Sequence, residues 1–436
     1  MRSRIPPRYC SRMVARLRLC NARSTLPARL VRGLTLVLIG CGGTVRDARA
    51  PAALPGIAND GRANRVEPAG DASSIIGDRE HTSSGAPIAH VPATIVSASE
   101  ATNVEELFIA GQTHLRQARP ARAAETFDRI VRHDPDGPFT ERALFQGALA
   151  HEAAGDLQAA AARFEQLPQR FPSGAWRGEA TLRALRVRLH LEQWERAGEL
   201  AVDLTQREPH APALAHIASH AARALASLAG GRLEDAEYQV AKGSTLADRL
   251  GLDRAGRIPR DLAVLYFAMG EAYRLRARDV SLGGDVRGFA ARLERRCELI
   301  LAAQGAYSNV MRAYDAHWST MAGYRVGELY EQLHQELMAL PMPRAGTPRE
   351  QALFEGAMRL RYSVLLGKAA SMLEHTLAMA ARTREDSAWV RRTEQARAAI
   401  DRARRDEQEA LARLPFTRDE LQRALDDLAA RAVGAP

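Results

Sequence analysis

The sequence predicts an all-α protein, a solenoid of stacked helix pairs, and three observations carry that prediction. Alanine, leucine and arginine are abundant and aromatics make up only 5% of the 436 residues, a composition that favours helix. Apolar residues recur at three and four from about residue 104 onward, the mark of amphipathic helices. A small–apolar–proline spacing returns every 37 residues, which points to an internal repeat.

The repeat is carried by Ala123, Phe127 and Pro135, then Ala160, Phe164 and Pro172, then Ala197, Ala201 and Pro209. A fainter copy holds Ala236, Val240 and Asp248, 39 residues further on. Two antiparallel helices approach closely only where a small residue lets them, hence the alanine. The residue one turn on fills the space between them. The proline stops the second helix and starts the turn to the next unit. Upstream of each set lies a partner helix: Val104–Ala118, Glu141–Ala154, Gly178–Leu191 and Ile217–Ala229. No such pair buries its apolar face alone, so neighbours must stack.

This pattern resembles the tetratricopeptide repeat. Gly111 matches the family's small position in the first helix, and Gly155-Asp156 its interhelix turn. The linkers are about three residues longer than the family's period, and Leu107 and Leu144 stand at or near its usual tryptophan. The resemblance implies a right-handed superhelix that binds a protein or peptide on its concave side. Carried onto this sequence, the concave positions are Gln112 and Arg116, then Arg142, Phe145 and Leu149, then Arg186 and His190. The basic residues among them are scattered, so no clamp for a C-terminal carboxylate is indicated.

In the second half, Arg260–Ala277 again resembles a first repeat helix, with Gly270 and Tyr273 at the matching places. Its partner is displaced by "RDVSLGGDVRG". Three long helical stretches follow, punctuated by Pro341 and Pro343. "LILAAQGAYSNVMRAYDAHWSTMAGYRVGELYE", the "PMP" turn and "LEHTLAMAARTREDSAWV" look like the C-terminal portion of large helical-repeat envelope proteins of deltaproteobacteria. The closing segment opens with Thr417-x-x-Glu420, a capping box, and carries a Leu421, Leu425, Leu428 stripe suited to capping the array.

The N-terminal region predicts the compartment. Residues 1–40 hold nine arginines and no acid; taking them from the 61 basic residues leaves 52, equal to the 52 acids. The net charge of +9 therefore belongs to the leader, and a nucleic-acid function loses its footing. A basic stretch precedes a short apolar run from Gly33 to Gly40, the order of an export signal. Leu38-Ile39-Gly40-Cys41 resembles the lipobox of bacterial lipoproteins, which implies cleavage before Cys41 and its lipidation. Gly42 in place of aspartate implies, by the same resemblance, an outer-membrane destination. Translation starts at Met1 or at Met13. A Rossmann reading of "GCGGTV" fails, because Val45 replaces the third glycine and Pro51 and Pro55 break the helix that should follow. From Gly42 to Asn103 the chain is rich in Gly, Pro, Ser and Asp without apolar period. That composition fits a disordered tether spanning roughly 40–45 Å.

Little catalytic chemistry is legible. His216 and His220 share a helical face at i, i+4, but no general-base glutamate accompanies them. "HEAAG" at 151–155 has Gly155 where a second histidine belongs. Cys10, Cys20, Cys41 and Cys297 show no C-x-x-C. Cys297 falls in phase with Leu293, Ile300 and Leu301, as a buried structural thiol would. His317-Trp318 suggests packing, and "RARRDEQEALAR" reads as a solvated helix face.

The expectation is a signal peptide (1–40), a lipidated Cys41 with linker (41–103), repeats (104–255), a C-terminal helical region (256–414) and a capping helix (415–436). It would be a non-catalytic scaffold on the bacterial outer membrane, facing the periplasm, and binding a protein partner. No cofactor, metal, nucleic acid or small-molecule substrate is expected. The alternatives are a cytosolic adaptor with an unprocessed leader, or a metal-dependent enzyme using His216 and His220.

Overall fold

A computed structural model describes residues 98–254, 256–283, 286–340 and 347–433. The stretches read as leader and tether up to residue 97, with Cys10, Cys20 and Cys41, and the Pro341–Pro343 segment read as a turn lie outside the described residues. Within them every long element is a helix and there is no strand. None of these helices is long and apolar enough to cross a membrane.

Four helix pairs come first: α1 (Ala98–Arg116) with α2 (Pro120–His133), α3 (Thr140–Ala154) with α4 (Leu157–Arg170), α5 (Arg177–His190) with α6 (Trp194–Arg207), and α7 (Ala213–Ala229) with α8 (Leu233–Leu250). Each helix packs on the next, so the pairs stack as an array. The repeat residues do what their spacing required. Ala123, Phe127, Ala160, Phe164, Ala197, Ala201 and Ala236 are completely buried. Burying a phenylalanine fully is worth about 1.5–3 kcal/mol, so Phe127 and Phe164 anchor their pairs. Pro135, Pro172 and Pro209 each lie just past the end of α2, α4 and α6. Gly111 is a true close approach: a Cβ there would sit 2.7 Å from the Phe127 ring.

The turns inside the first three pairs repeat at the same interval. Ala118 (φ 53°), Gly155 (φ 82°) and Glu192 (φ 58°) all adopt the left-handed conformation. Only glycine does so without strain. Ion pairs knit successive pairs together: Arg163 grips Asp128 at 2.8 and 3.0 Å, and Arg188 and Arg196 share Glu165 at 2.6 and 2.7 Å.

The second half continues with α9 (Arg260–Arg278), α10 (Val286–Val310), a short 3₁₀ turn, α11 (Ala316–Met338), α12 (Pro348–Thr383), α13 (Ala388–Ala412) and α14 (Arg418–Val433). The displaced partner of α9 is α10, and Tyr307 takes the place that Phe127 holds in the first pair. A Cβ on Gly270 would sit 2.5 Å from the Tyr307 ring. The Thr417–Glu420 capping box forms, with Glu420 N–H donating to Thr417 Oγ1 at 3.3 Å and Thr417 N–H to Glu420 at 2.7 Å. Leu421 and Leu425 are buried where α14 packs on α12; Leu428's side chain lies outside the described set.

Four details differ from the sequence reading. Helix α1 begins at Ala98, inside the stretch read as linker. The closing "LEHTLAMAARTREDSAWV" is not one run, because Arg384 turns left-handed (φ 55°) and divides α12 from α13. Leu301 faces solvent at 44% exposure, while Leu293, Cys297 and Ile300 are buried; the buried stripe of α10 is narrow and misses i+8. Glu407, in the supposedly solvated run, is buried and bonded to Arg359 at 2.9 Å.

Candidate functional site

The positions expected on the concave face divide into two groups. On α1, Gln112 is half-buried and Arg116 exposed, the latter donating to Thr113 Oγ1 at 3.1 Å. On α3, Arg142 is exposed with its guanidinium 5.0 Å above the Phe108 ring, and Leu149 is half-buried against the core. These four leave polar and apolar surface open to a partner. Phe145, expected beside them, is a core residue: it is 4% exposed and stacks on Trp176 at 4.5 Å.

The α5 residues are held by the chain itself. Arg186 donates two bonds to Asp261 of α9, at 3.0 and 2.6 Å. His190 stacks on His317 of α11, ring centroids 3.8 Å apart. Glu192, just after α5, accepts from the indole N–H of Trp389 on α13 at 2.8 Å and lies 3.8 Å from Arg392. These side chains, rather than extended helix packing, join α5 to α9, α11 and α13. The face expected to be concave thus keeps exposed residues along α1 and α3, and beyond α5 its side chains are tied to α9, α11 and α13.

Beside the closure lies a cleft of about 200 Å³, lined by residues that include Glu192, Trp194, Phe267, Glu271, Arg325 and Trp389. An adjoining depression of about 550 Å³ shares Glu192, Trp194 and Ala229 with it. At the cleft's base Glu271 is buried yet fully engaged. It accepts from Tyr307 Oη at 2.6 Å and Arg274 Nη2 at 2.7 Å, with Arg325 Nε 3.0 Å away. Burial pushes the Glu271 carboxyl up, but Arg325 and Arg274, with the Tyr307 hydroxyl, hold it below the ordinary glutamate range. Burial and the Glu271 charge raise the Tyr307 phenol well above its ordinary value. The carboxylate stays ionised and the phenol stays protonated. A general acid or base needs a pKa near the working pH; this cluster is built instead to hold α9, α10 and α11 together.

His216 and His220 are both half-buried on α7, and His220 Nδ1 lies 3.0 Å from Gln239 Oε1. Among the described residues no three His, Cys, Asp or Glu side chains gather as a metal site would need.

Residues 142–174 match the tetratricopeptide repeat. The matched repeat is α3, α4 and the turn after them, the second pair of the array. No curated protein matches the chain. Among solved structures, a tetratricopeptide repeat protein from Parabacteroides merdae ATCC 43184 superposes on 69% of this chain and 99% of its own, at 14% identity and a TM-score of 0.36. That superposition is loose, and the fold assignment rests on the helices themselves.

Glu192 escaped the sequence reading although a signal was present. It stands 37 residues after Gly155, at the left-handed turn position, where glutamate is costly. A left-handed non-glycine residue loses roughly 1–2 kcal/mol, and a hydrogen bond to a charged group contributes about 1.5–3 kcal/mol. The bond to Trp389 therefore offsets the strain. Glu192→Ala should lose the bond and keep the strain, while Glu192→Gly loses the bond and relieves it. In urea titrations the glycine variant should be the more stable of the two by about 1 kcal/mol; equal stability would mean that the turn is unstrained.

Proposed function

We propose that this protein is a non-catalytic scaffold that binds a segment of another protein along the inner face of α1 and α3, and that lipidated Cys41 tethers it to the bacterial outer membrane on the periplasmic side. The observation that carries the binding role is the matched repeat at 142–174, set in an array of equal spacing whose inner face keeps Arg116 and Arg142 exposed. The buried Glu271 cluster, locked in fixed protonation states, supports a structural rather than a catalytic interior. The lipobox-like Leu38–Cys41 and the tether-like segment after it support the anchoring.

The binding role is tested with Arg116→Glu combined with Arg142→Glu. Exposed substitutions usually change stability by under about 0.5 kcal/mol, so the melting temperature should hold. Affinity for the partner recovered with the wild type should fall at least about tenfold. Unchanged affinity would move the binding surface elsewhere. The anchoring is tested by lipid labelling and fractionation of wild type beside Cys41→Ala. Label and membrane association should both vanish in the variant. An unlabelled, soluble wild type that keeps its leader would leave the cytosolic adaptor as the better account.

A further inference from the structure

The stacked pair His190–His317 is the middle of three contacts that close the inner face, between Arg186–Asp261 and Glu192–Trp389. It joins the end of α5 to the start of α11. His317 is 7% exposed, and its ring is met by the His190 backbone as well as by the His190 ring. Glu385, from the turn between α12 and α13, comes no nearer than 3.5 Å to Nδ1. Arg260 at the start of α9 faces the pair with its Nη2 3.4 Å from His190 Nδ1, and its Nε holds Asp315, the residue before α11, at 2.9 Å. On α5 itself Arg186 is committed to Asp261 and Arg188 to Glu165. The charges around the pair are therefore Arg260 against Asp315 and Glu385, with Arg260 closest to His190.

We propose that the His190–His317 stack is an acid-opened clasp: neutral rings hold α5 against α11 and keep the inner face closed, and proton uptake by both rings releases them. Two imidazoliums cannot remain stacked at 3.8 Å beside a guanidinium. Glu192 and Trp389 line the cleft and are joined to each other across the same closure. Opening therefore separates them and exposes the Trp389 ring and the cleft wall together.

The direction of the pH effect follows from the burial. Burial first, then the charge of its partner imidazole and of Arg260, lowers His190 from 6.5 to about 4, against Asp315 and Glu385. Burial also lowers His317 from 6.5 to about 4, with Arg260 in the same direction and with Asp315 and the His190 backbone opposing. In the open state both rings take up protons near the ordinary value. The open state thus binds more protons than the closed one between pH 6.5 and about 4, and closure weakens as pH falls through that window.

The test is hydrogen–deuterium exchange of the full chain at pH 7, 6 and 5, corrected for intrinsic rates, in wild type and in a His190→Phe/His317→Phe variant. Phenylalanine preserves an aromatic stack and cannot titrate. In wild type, amides at the end of α5 and the start of α13 should lose protection at least about tenfold by pH 5, while α3 and α4 keep theirs. In the variant that selective loss should be absent. Equal loss in both proteins, or unchanged protection in wild type, would overturn the clasp. Should the variant fail to fold, imidazole proton shifts of the wild type decide: His190 and His317, identified by cross-relaxation between their stacked rings, should both titrate well below 6.5, and either of them titrating near 6.5 would overturn the clasp.

Discussion

Glu271→Ala is expected to cost about 3–5 kcal/mol, because removing one partner of a buried ion pair strands the others. Glu271 is 8% exposed, and Arg274, Arg325 and the completely buried Tyr307 all converge on it. In the alanine variant the phenol loses its acceptor and the two guanidiniums lose their shared countercharge, leaving Arg325 with Glu328 alone at 2.8 Å. Glu271→Gln keeps the shape and one acceptor oxygen and should fall between wild type and alanine. The pH dependence gives a second reading. The folded carboxyl lies below its ordinary range, so its contribution is present above the ordinary glutamate value and fades as pH falls through the folded one. The gap between wild type and Glu271→Gln should therefore narrow in acid. Urea titrations at neutral and acid pH would show this; a loss under about 1 kcal/mol at neutral pH would mean that the cluster is solvated.

Phe127→Ala should cost about 3–5 kcal/mol as well, but in a different place. Phe127 is completely buried in a small core with Val104, Phe108 and Ile130, separate from the main core that runs from Leu144 to Ile400. Its ring meets Phe108 edge-on at 5.5 Å and fills the space over Gly111. In a solenoid each unit contacts only its neighbours, so damage at one end stays local. The variant should melt in two steps, with α1 and α2 losing amide protection first while α5 to α14 keep theirs. Phe164→Ala, in the main core, should instead lower the whole transition. A single shared transition in both variants would show that the array folds as one cooperative unit.

The contrast between those two phenylalanines marks what a sequence reveals in a protein of this kind. Phe127, Phe164 and the alanines before them were legible because a repeat writes the same contact several times at one interval. The helix ends were legible from Pro135, Pro172 and Pro209. The capping box at Thr417–Glu420 was legible because its chemistry is local. The burial of Phe145 was not legible, because a family pattern gives a helical face in outline and says nothing of Trp176, whose half-exposed ring stacks over this side chain. The closure of the inner face was not legible at all. Trp389 lies 197 positions from Glu192, and no periodicity links a charged turn residue to a distant helix start. Glu271 was hidden for the same reason, since its partners come from three helices. Arg186 and His190 were picked out as a surface for a partner, and the chain holds both in contacts of its own.

Site-specific photo-crosslinking in host cells tests the central claim most directly. A photoreactive residue is placed in turn at Gln112, Arg116, Arg142 and Leu149 on the inner face, and at Glu125 and Glu199, which are exposed on α2 and α6. A scaffold that binds through its inner face gives one discrete protein adduct from the first four positions and none from the last two. Adducts from Glu125 or Glu199 alone would contradict that account and place the partner on the outside of the array.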